Sequence, residues 1–276
     1  FKLEYLNPTG SYKDRGTAVL INQLILRSVT EAVEDSSGNA GASFAAYAAR
    51  AGIHARIYVP ESASGPKRTQ IEMFGAELIS VPGPRSAAAD AVHQEAIRGI
   101  PYASHAYMPF GLAGIATISY EIFEELGRAP GSIIAPVGHG GLLLGIMRGF
   151  SALEVAGLIK KQPFYLGVQA AECSPIVESI NHLKGADGYH GSGETIAEGV
   201  KVWKPVRAQA IINGILEGKG DFLAITEESI LPAFHELSRM GFYIEPTSAL
   251  AYCGLKKRLG KIPEPIVVIL TGSGLK

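Results

Sequence analysis

The chain has 276 residues, 47% hydrophobic and 18% charged, a balance that suits a compact, two-lobed enzyme and excludes a disordered protein. Its 25 basic and 26 acidic residues leave a net charge of −1, so it carries no electrostatic footprint for nucleic acid or a membrane surface. Cys173 and Cys253 lack metal-ligand or redox spacing, no two histidines stand four apart on a helix, and no apolar run approaches the ~18 residues of a membrane span. The expectation is a cytoplasmic protein with reduced thiols, no metal and no signal peptide. A start on Phe1 rather than Met is read as a missing N-terminal segment.

The first chemistry-bearing stretch is Asn7-Pro8-Thr9-Gly10-Ser11-Tyr12-Lys13-Asp14-Arg15-Gly16. Asn-Pro and Thr-Gly form a tight turn that delivers Lys13 to the start of a helical segment. An amine held there suits a cofactor that forms Schiff bases, above all pyridoxal phosphate (PLP), although a lone lysine is commonly a solvated charge. After the short run 31–35 comes Ser36-Ser37-Gly38-Asn39-Ala40-Gly41, opening an Ala-rich helix over 40–51 that Gly52 ends. Unpaired N–H groups at such a helix start can bind a substrate carboxylate, and Asn39 can donate to a phenolate; the same residues also make a plain N-cap.

Strands are expected at 53–60 and 76–82, and helices at 86–99 and 115–126. The strand 132–137 runs into Gly138-His139-Gly140-Gly141-Leu142, which opens a helix over 141–158. Glycines there let a phosphate approach the helix N-terminus. Leu143 stands where a dinucleotide fingerprint needs its third glycine, so a monophosphate fits better, and a nucleotide-dependent dehydrogenase is the weaker alternative. A strand at 164–170, a loop or flap at 185–193, a strand at 222–225, helices at 227–240 (with Thr226 as N-cap) and 247–259, and a strand at 266–270 complete the series. The last strand leads into Thr271-Gly272-Ser273-Gly274-Leu275-Lys276, where a hydroxyl can meet a ring nitrogen. Alternation of strand and helix argues for mostly parallel α/β sheets with crossover helices.

In this order and spacing the motifs resemble the fold-type II, tryptophan-synthase-β-like PLP enzymes, and within them the threonine synthase family. The matching segments are 7–16, Ser37-Gly38-Asn39 and 271–276, with further likeness at 195–199 and 245–249. The resemblance covers nearly the whole chain. It implies that Lys13 is the covalent attachment point of PLP and shuttles protons. It also implies that Asn39 bonds the cofactor's 3′ oxygen, that the backbone of Gly138, His139, Gly140, Gly141 and Leu142 holds its phosphate, and that Thr271 meets the pyridine nitrogen. Ser36, Ser37 and Gly38 would hold the substrate carboxylate. Two lobes are implied, 1–35 with 127–276 as the larger and 36–126 as a smaller mobile one, with the site in the cleft and a homodimer as the assembly.

One stretch departs from the family pattern. Where threonine synthases carry an Asn and an Arg that bind the substrate phosphate, this chain has Met108 and Gly111 within 105–117. His105, or Lys67 with Arg68, is the candidate substitute for the arginine, while Tyr107, Met108 and Phe110 are expected to make a more apolar pocket. The reaction implied is O-phospho-L-homoserine plus water giving L-threonine and phosphate. The alternatives are a threonine or serine dehydratase acting on a smaller amino acid, and a catalytically silent paralogue.

Overall fold

A computed structural model describes residues 1–63, 65–183, 191–215, 217 and 220–275. In chain order the first elements are β1 (Lys2–Leu3), α1 (Lys13–Ile25), β2 (Glu31–Glu34), α2 (Asn39–Ala51), β3 (His54–Pro60), α3 (Pro66–Met73), β4 (Glu77–Val81), α4 (Arg85–Ile97) and α5 (Gly111–Leu126). There follow β5 (Ser132–Pro136), α6 (Gly141–Val155), β6 (Phe164–Ala170), α7 (Pro175–Leu183), α8 (Ala208–Gly214), β7 (Gly220–Ile225), α9 (Glu227–Arg239), α10 (Pro246–Arg258) and β8 (Ile266–Leu270). Every pairing between these strands is parallel, as the strand–helix alternation requires.

The backbone divides into two compact units, 1–5 with 115–274 and 6–114 with 275–276. The sequence division set 1–35 with the larger lobe and 36–126 as the smaller; by backbone contacts 6–35 group with the smaller unit and 115–126 with the larger. The cause is packing. Leu20, Ile21 and Leu24 of α1 share a buried cluster with Phe44, Ala45 and Ala48 of α2 and Ile57 and Val59 of β3. Each such leucine, isoleucine, valine or phenylalanine side chain removed from water contributes about 1.5–3 kcal/mol. The Ser43 hydroxyl also donates to Thr17 Oγ1 at 2.8 Å.

The smaller unit holds the sheet β2-β3-β4. The cluster just described covers one face, and Ala88 and Val92 of α4 pack with Val33 and Tyr58 in another. The free edge of β2 is closed by the segment 101–103: Val33 N–H donates to Pro101 O at 2.9 Å and Ala103 N–H to Val33 O at 2.8 Å. The bridge of Val33 with Tyr102 is parallel, so 101–105 and β2 run out at the same end of the sheet.

The larger unit holds the sheet β1-β8-β5-β6-β7. Ile134, Leu166, Val168, Val268 and Leu270 are buried with Leu250, Ala251 and Cys253 of α10. Gly254 permits that close seat, since a Cβ there would come within 2.8 Å of Val168 Cγ2. Six strands expected from periodicity are present. The strand β2 escaped the pattern because glutamates occupy two of its four positions, and α3 because only Ile71 of its eight residues is buried.

Candidate active site

In the smaller unit the turn before α1 is held by one carboxylate. Gly10, at φ +84°, donates its N–H to Asn7 O at 2.7 Å. Asp14, 1% exposed, accepts from the Thr9 N–H at 2.7 Å and from the Thr9 hydroxyl at 2.6 Å. An acid in the first helical turn also complements the helix dipole. Lys13 is thereby fixed as the first residue of α1, half-buried, with Nζ 4.9 Å from the Tyr12 ring centroid. Two residues away the Ser11 hydroxyl is fully buried with no hydrogen-bond partner among the described residues, a group that a bound polar ligand would satisfy.

Ser36, Ser37 and Gly38 form the loop between β2 and α2, and Asn39 begins α2. The Ser36 hydroxyl accepts from the Gly38 N–H at 3.3 Å, and Gly38 O accepts from the Ala42 N–H at 3.1 Å. The first turn of α2 lies so close to this loop that a Cβ on Gly41 would stand 1.9 Å from Ser36 O.

His105 lies at the same sheet end. Its Nδ1 is 2.9 Å from Oε1 of Glu34, the fully buried last residue of β2. The Asp35 N–H donates to Glu34 Oε2 at 2.8 Å, and the Tyr102 hydroxyl donates to Asp35 Oδ1 at 2.7 Å. Burial pushes the Glu34 carboxyl up from the ordinary range, opposed by the Asp35 N–H and by the charges of Arg85 and Lys13. Burial and the neighbouring Glu34 push Asp35 up as well. Lys13, the 36–39 loop and His105 therefore belong to one electrostatic neighbourhood.

Of the residues expected to make the site more apolar, two are partly buried. Met108 and Phe110 pack against the buried cluster of α1, α2 and β3, while Tyr107 is 57% exposed with its ring 6.1 Å from that of Tyr102. A Cβ on Gly111 would touch the Gly16 backbone at 3.5 Å, so this position lies against α1. Arg68 is engaged in structure, donating to Ala63 O at 3.2 Å and to Ser80 Oγ and Glu72 Oε1 at 3.3 Å. Lys67 stands beside it in α3.

In the larger unit the glycine loop leaves β5 and enters α6. Gly138 packs tightly, since a Cβ would lie 2.8 Å from Gly199 O. Gly140 has φ +89° and Leu142 is buried. Above Gly141 the nearest atom to a built Cβ is Arg207 Nε at 4.0 Å, and the Arg207 N–H donates to His139 O at 3.1 Å. Backbone N–H groups of a helix start with a guanidinium beside them suit a phosphate. Burial and the Arg148 charge lower the pKa of Arg207 from its ordinary value.

Thr271 follows β8, the neighbour of β5 in the sheet. Ser248 Oγ accepts from the N–H groups of Thr271 at 2.8 Å and Gly272 at 3.2 Å, and lies 2.9 Å from Thr271 Oγ1. With its acceptor capacity used by two amides, Ser248 directs its own proton to Thr271. The Thr271 proton is then available to Glu245 Oε1, at a long 3.4 Å, or to a closer acceptor on a ligand.

Sequence reasoning passed over Glu34, Arg207 and Ser248. Ser248 lay in a segment noted only for its likeness, and nothing in the spacing of Arg207 or Glu34 tied them to the loops they touch. The expected flap at 185–193 falls outside the described residues up to 190; beyond them Ser192 donates twice to Glu172 Oε2, at 2.7 and 2.6 Å. Among the described residues no group of three or more His, Cys, Asp or Glu could hold a metal, and no helix is long and apolar enough to cross a membrane. The residues present fit a PLP-type cofactor: an amine at a rigid turn, an orphaned buried hydroxyl beside it, a glycine cradle for a phosphate and a hydroxyl with a proton to give.

Comparison with known proteins agrees. A family model described as "Pyridoxal-phosphate dependent enzyme" matches residues 1–272. The chain is 38% identical to a threonine synthase of Methanocaldococcus jannaschii over 283 residues, covering 100% of this chain and 70% of that protein. It is 35% identical to one of Mycobacterium leprae, covering 100% and 76%. Among solved structures, a threonine deaminase from T.th. superposes with TM-score 0.81 at 25% identity, over 99% of this chain and 86% of that one. A fungal L-serine ammonia-lyase from Rhizomucor miehei gives 0.82 at 22% identity, over 98% and 87%, a likeness of fold.

Proposed function

The chain belongs to the pyridoxal-phosphate dependent enzymes, with the threonine synthases among them, and from this premise we propose how its residues carry out that reaction. The enzyme converts O-phospho-L-homoserine and water to L-threonine and phosphate. The observation that carries the reading is the Asp14–Thr9 clamp, which presents Lys13 at a rigid helix start within a chain that aligns over its whole length with 70% of a threonine synthase.

Lys13 would be the attachment point of PLP, and its amine is placed to move protons at the substrate's α-carbon. When bound, the cofactor supplies an electron sink for bonds made and broken next to the amine-bearing carbon. Asn39 would donate to the cofactor's 3′ oxygen. The backbone at Gly138, His139, Gly140, Gly141 and Leu142 holds the phosphate, with Arg207 alongside. Ser36, Ser37 and Gly38 bind the substrate carboxylate. Thr271, oriented by Ser248, would offer the ring nitrogen a neutral hydroxyl in place of a carboxylate. That favours elimination and replacement over transamination.

A second reading, a threonine or serine dehydratase, draws on the position of Gly111 against α1, where a glycine offers no cation to a substrate phosphate. The assay compares phosphate release from O-phosphohomoserine with 2-oxoacid formation from threonine and serine. Phosphate release is expected; its absence at saturating substrate, with 2-oxoacid formed, would overturn the synthase reading. The family also suggests a cytoplasmic homodimer, which sedimentation at micromolar protein tests for the assembly.

A further inference from the structure

Gln169 stands in β6 with its side chain fully buried. Leu166, Val168 and Ala170 of the same strand belong to the apolar cluster with α10, and by the two-residue period of a strand the Gln169 amide points to the other face. A buried primary amide costs stability unless its hydrogen bonds are made. Here both ends are engaged. Its Oε1 accepts from the N–H groups of Ile176 at 3.0 Å and Val177 at 3.2 Å, in the first turn of α7. Its Nε2 donates to Val137 O at 3.2 Å. The reverse orientation would set the NH2 against two N–H donors and the oxygen against a carbonyl, so the network fixes this one.

Val137 links β5 to the glycine loop and is anchored to β6 in two further ways. Its N–H donates to Val168 O at 2.8 Å, and its Cγ2 lies 3.1 Å from the place a Cβ on Gly167 would take. The Val137 carbonyl shares a planar peptide with the Gly138 N–H. This peptide is trans, so the two groups point in opposite directions. Fixing Val137 O therefore aims the Gly138 N–H. Glycine puts little steric restraint on the rotation of the peptide before it, so that aim needs a hydrogen bond to hold it. The partial positive charge at the start of α7 polarises the Gln169 amide and strengthens its donation to Val137.

We propose that Gln169 is a positioning residue for the cofactor's phosphate: through Val137 O it sets the direction of the Gly138 N–H, and it does so braced against the first turn of α7. The phosphate end rests on the reading of the 138–142 loop given above; the hold on the Val137–Gly138 peptide does not. A residue that merely capped α7 would need only its Oε1, and this difference separates the two roles.

Gln169→Glu keeps an acceptor for Ile176 and Val177, whose N–H groups favour the ionised carboxyl, and removes the donor to Val137. Gln169→Met removes both. The full chain, as apoprotein at about pH 8, is titrated with PLP and with pyridoxal, which lacks the phosphate. PLP affinity should fall roughly ten-fold in both variants, the scale of one neutral hydrogen bond, while pyridoxal affinity stays within about two-fold. The amide nitrogen resonance of Gly138 should move in both. Equal losses for PLP and pyridoxal, or unaltered PLP affinity in Gln169→Glu, overturn the phosphate role, and an unmoved Gly138 resonance overturns the hold on the peptide. If the wild-type chain binds PLP no more tightly than pyridoxal, the reading of the glycine loop fails and the phosphate role with it, while the Gly138 resonance still decides the hold. Should Gln169→Met not fold, Gln169→Glu decides by the same ratio of the two affinities.

Discussion

Replacing Gly41 by alanine probes whether the 36–38 loop is held by backbone proximity. The added Cβ would stand 1.9 Å from Ser36 O, 3.0 Å from Ser36 C and 3.2 Å from Ile71 Cδ1. Real Cβ atoms keep beyond 3.0 Å, so the Ser36 carbonyl must retreat by roughly 1 Å, a displacement that costs about 100-fold in rate where it misplaces a substrate. The obstacle is main chain, so no side-chain rotation relieves it. Overpacking of this kind costs about 1–3 kcal/mol, and the better helix propensity of alanine returns up to ~1 kcal/mol. A net destabilisation of about 1–2 kcal/mol is expected, with a loss in kcat/KM out of proportion to it. Gly52→Ala, at the other end of α2, is the control. Gly52 has φ +69° with nothing within 4 Å of a built Cβ, so alanine there costs about 1 kcal/mol of backbone strain and leaves kcat/KM alone. Thermal unfolding with steady-state kinetics reads both. Wild-type kinetics in Gly41→Ala, or an equal kinetic loss in Gly52→Ala, would refute the reasoning.

Asp14→Ala strands the Thr9 N–H and hydroxyl in a buried site and should cost about 2–4 kcal/mol in chemical denaturation, with loss of cofactor attachment. Arg207→Ala should weaken PLP binding by roughly ten-fold or more, measured by fluorescence titration of the apoprotein, since a charge-assisted contact is worth about 1.5–3 kcal/mol. Asp35, held above its ordinary pKa by burial and by Glu34, binds its proton in the folded state over a range where the unfolded chain has lost it. Its contribution to stability is therefore greatest below the unfolded pKa and falls as pH rises toward the folded one. Asp35→Asn should flatten the slope of stability against pH just above the ordinary carboxyl range, as read by denaturant melts. Burial pushes the Cys253 thiol up to about 11, so native protein at pH 8 should resist iodoacetamide at this residue, and mass spectrometry of the modified peptide checks it.

Contiguous features were readable without a structure. The turn and lysine of 7–16, the loop 36–41, the glycines 138–141 and the terminal Thr271-Gly272 each place their chemistry within a few residues of a strand end or helix start. Residue type and local backbone rules place these segments at strand ends and helix starts; their chemical roles came from the family resemblance. The 6–35 segment groups by contact with the other unit than expected, because helix α1 has no sequence mark that says which sheet it covers; its cluster with Phe44 and Ile57 makes the grouping. Glu34 with His105, Arg207 with the glycine loop and Ser248 with Thr271 are joined across 71, 66 to 69 and 23 positions respectively. A charged residue in a four-residue strand reads from sequence as a solvated one, and only the bridge to 101–103 shows Glu34 to be buried.

That bridge also sets an order of assembly. Val33 meets Tyr102 only after β3, β4 and α4 have been laid down between them. Closing a loop of this length demands an entropy that local contacts do not, and such pairings form late. The Glu34–His105 contact thus matures at the end of the unit's folding, and the amides of Val33 and Ala103, which make the bridge, are natural reporters of its completion in pulsed hydrogen exchange. A chain halted before Ala103 would carry the lysine turn and the 36–39 loop intact, yet leave the edge of β2 open to pair with another molecule.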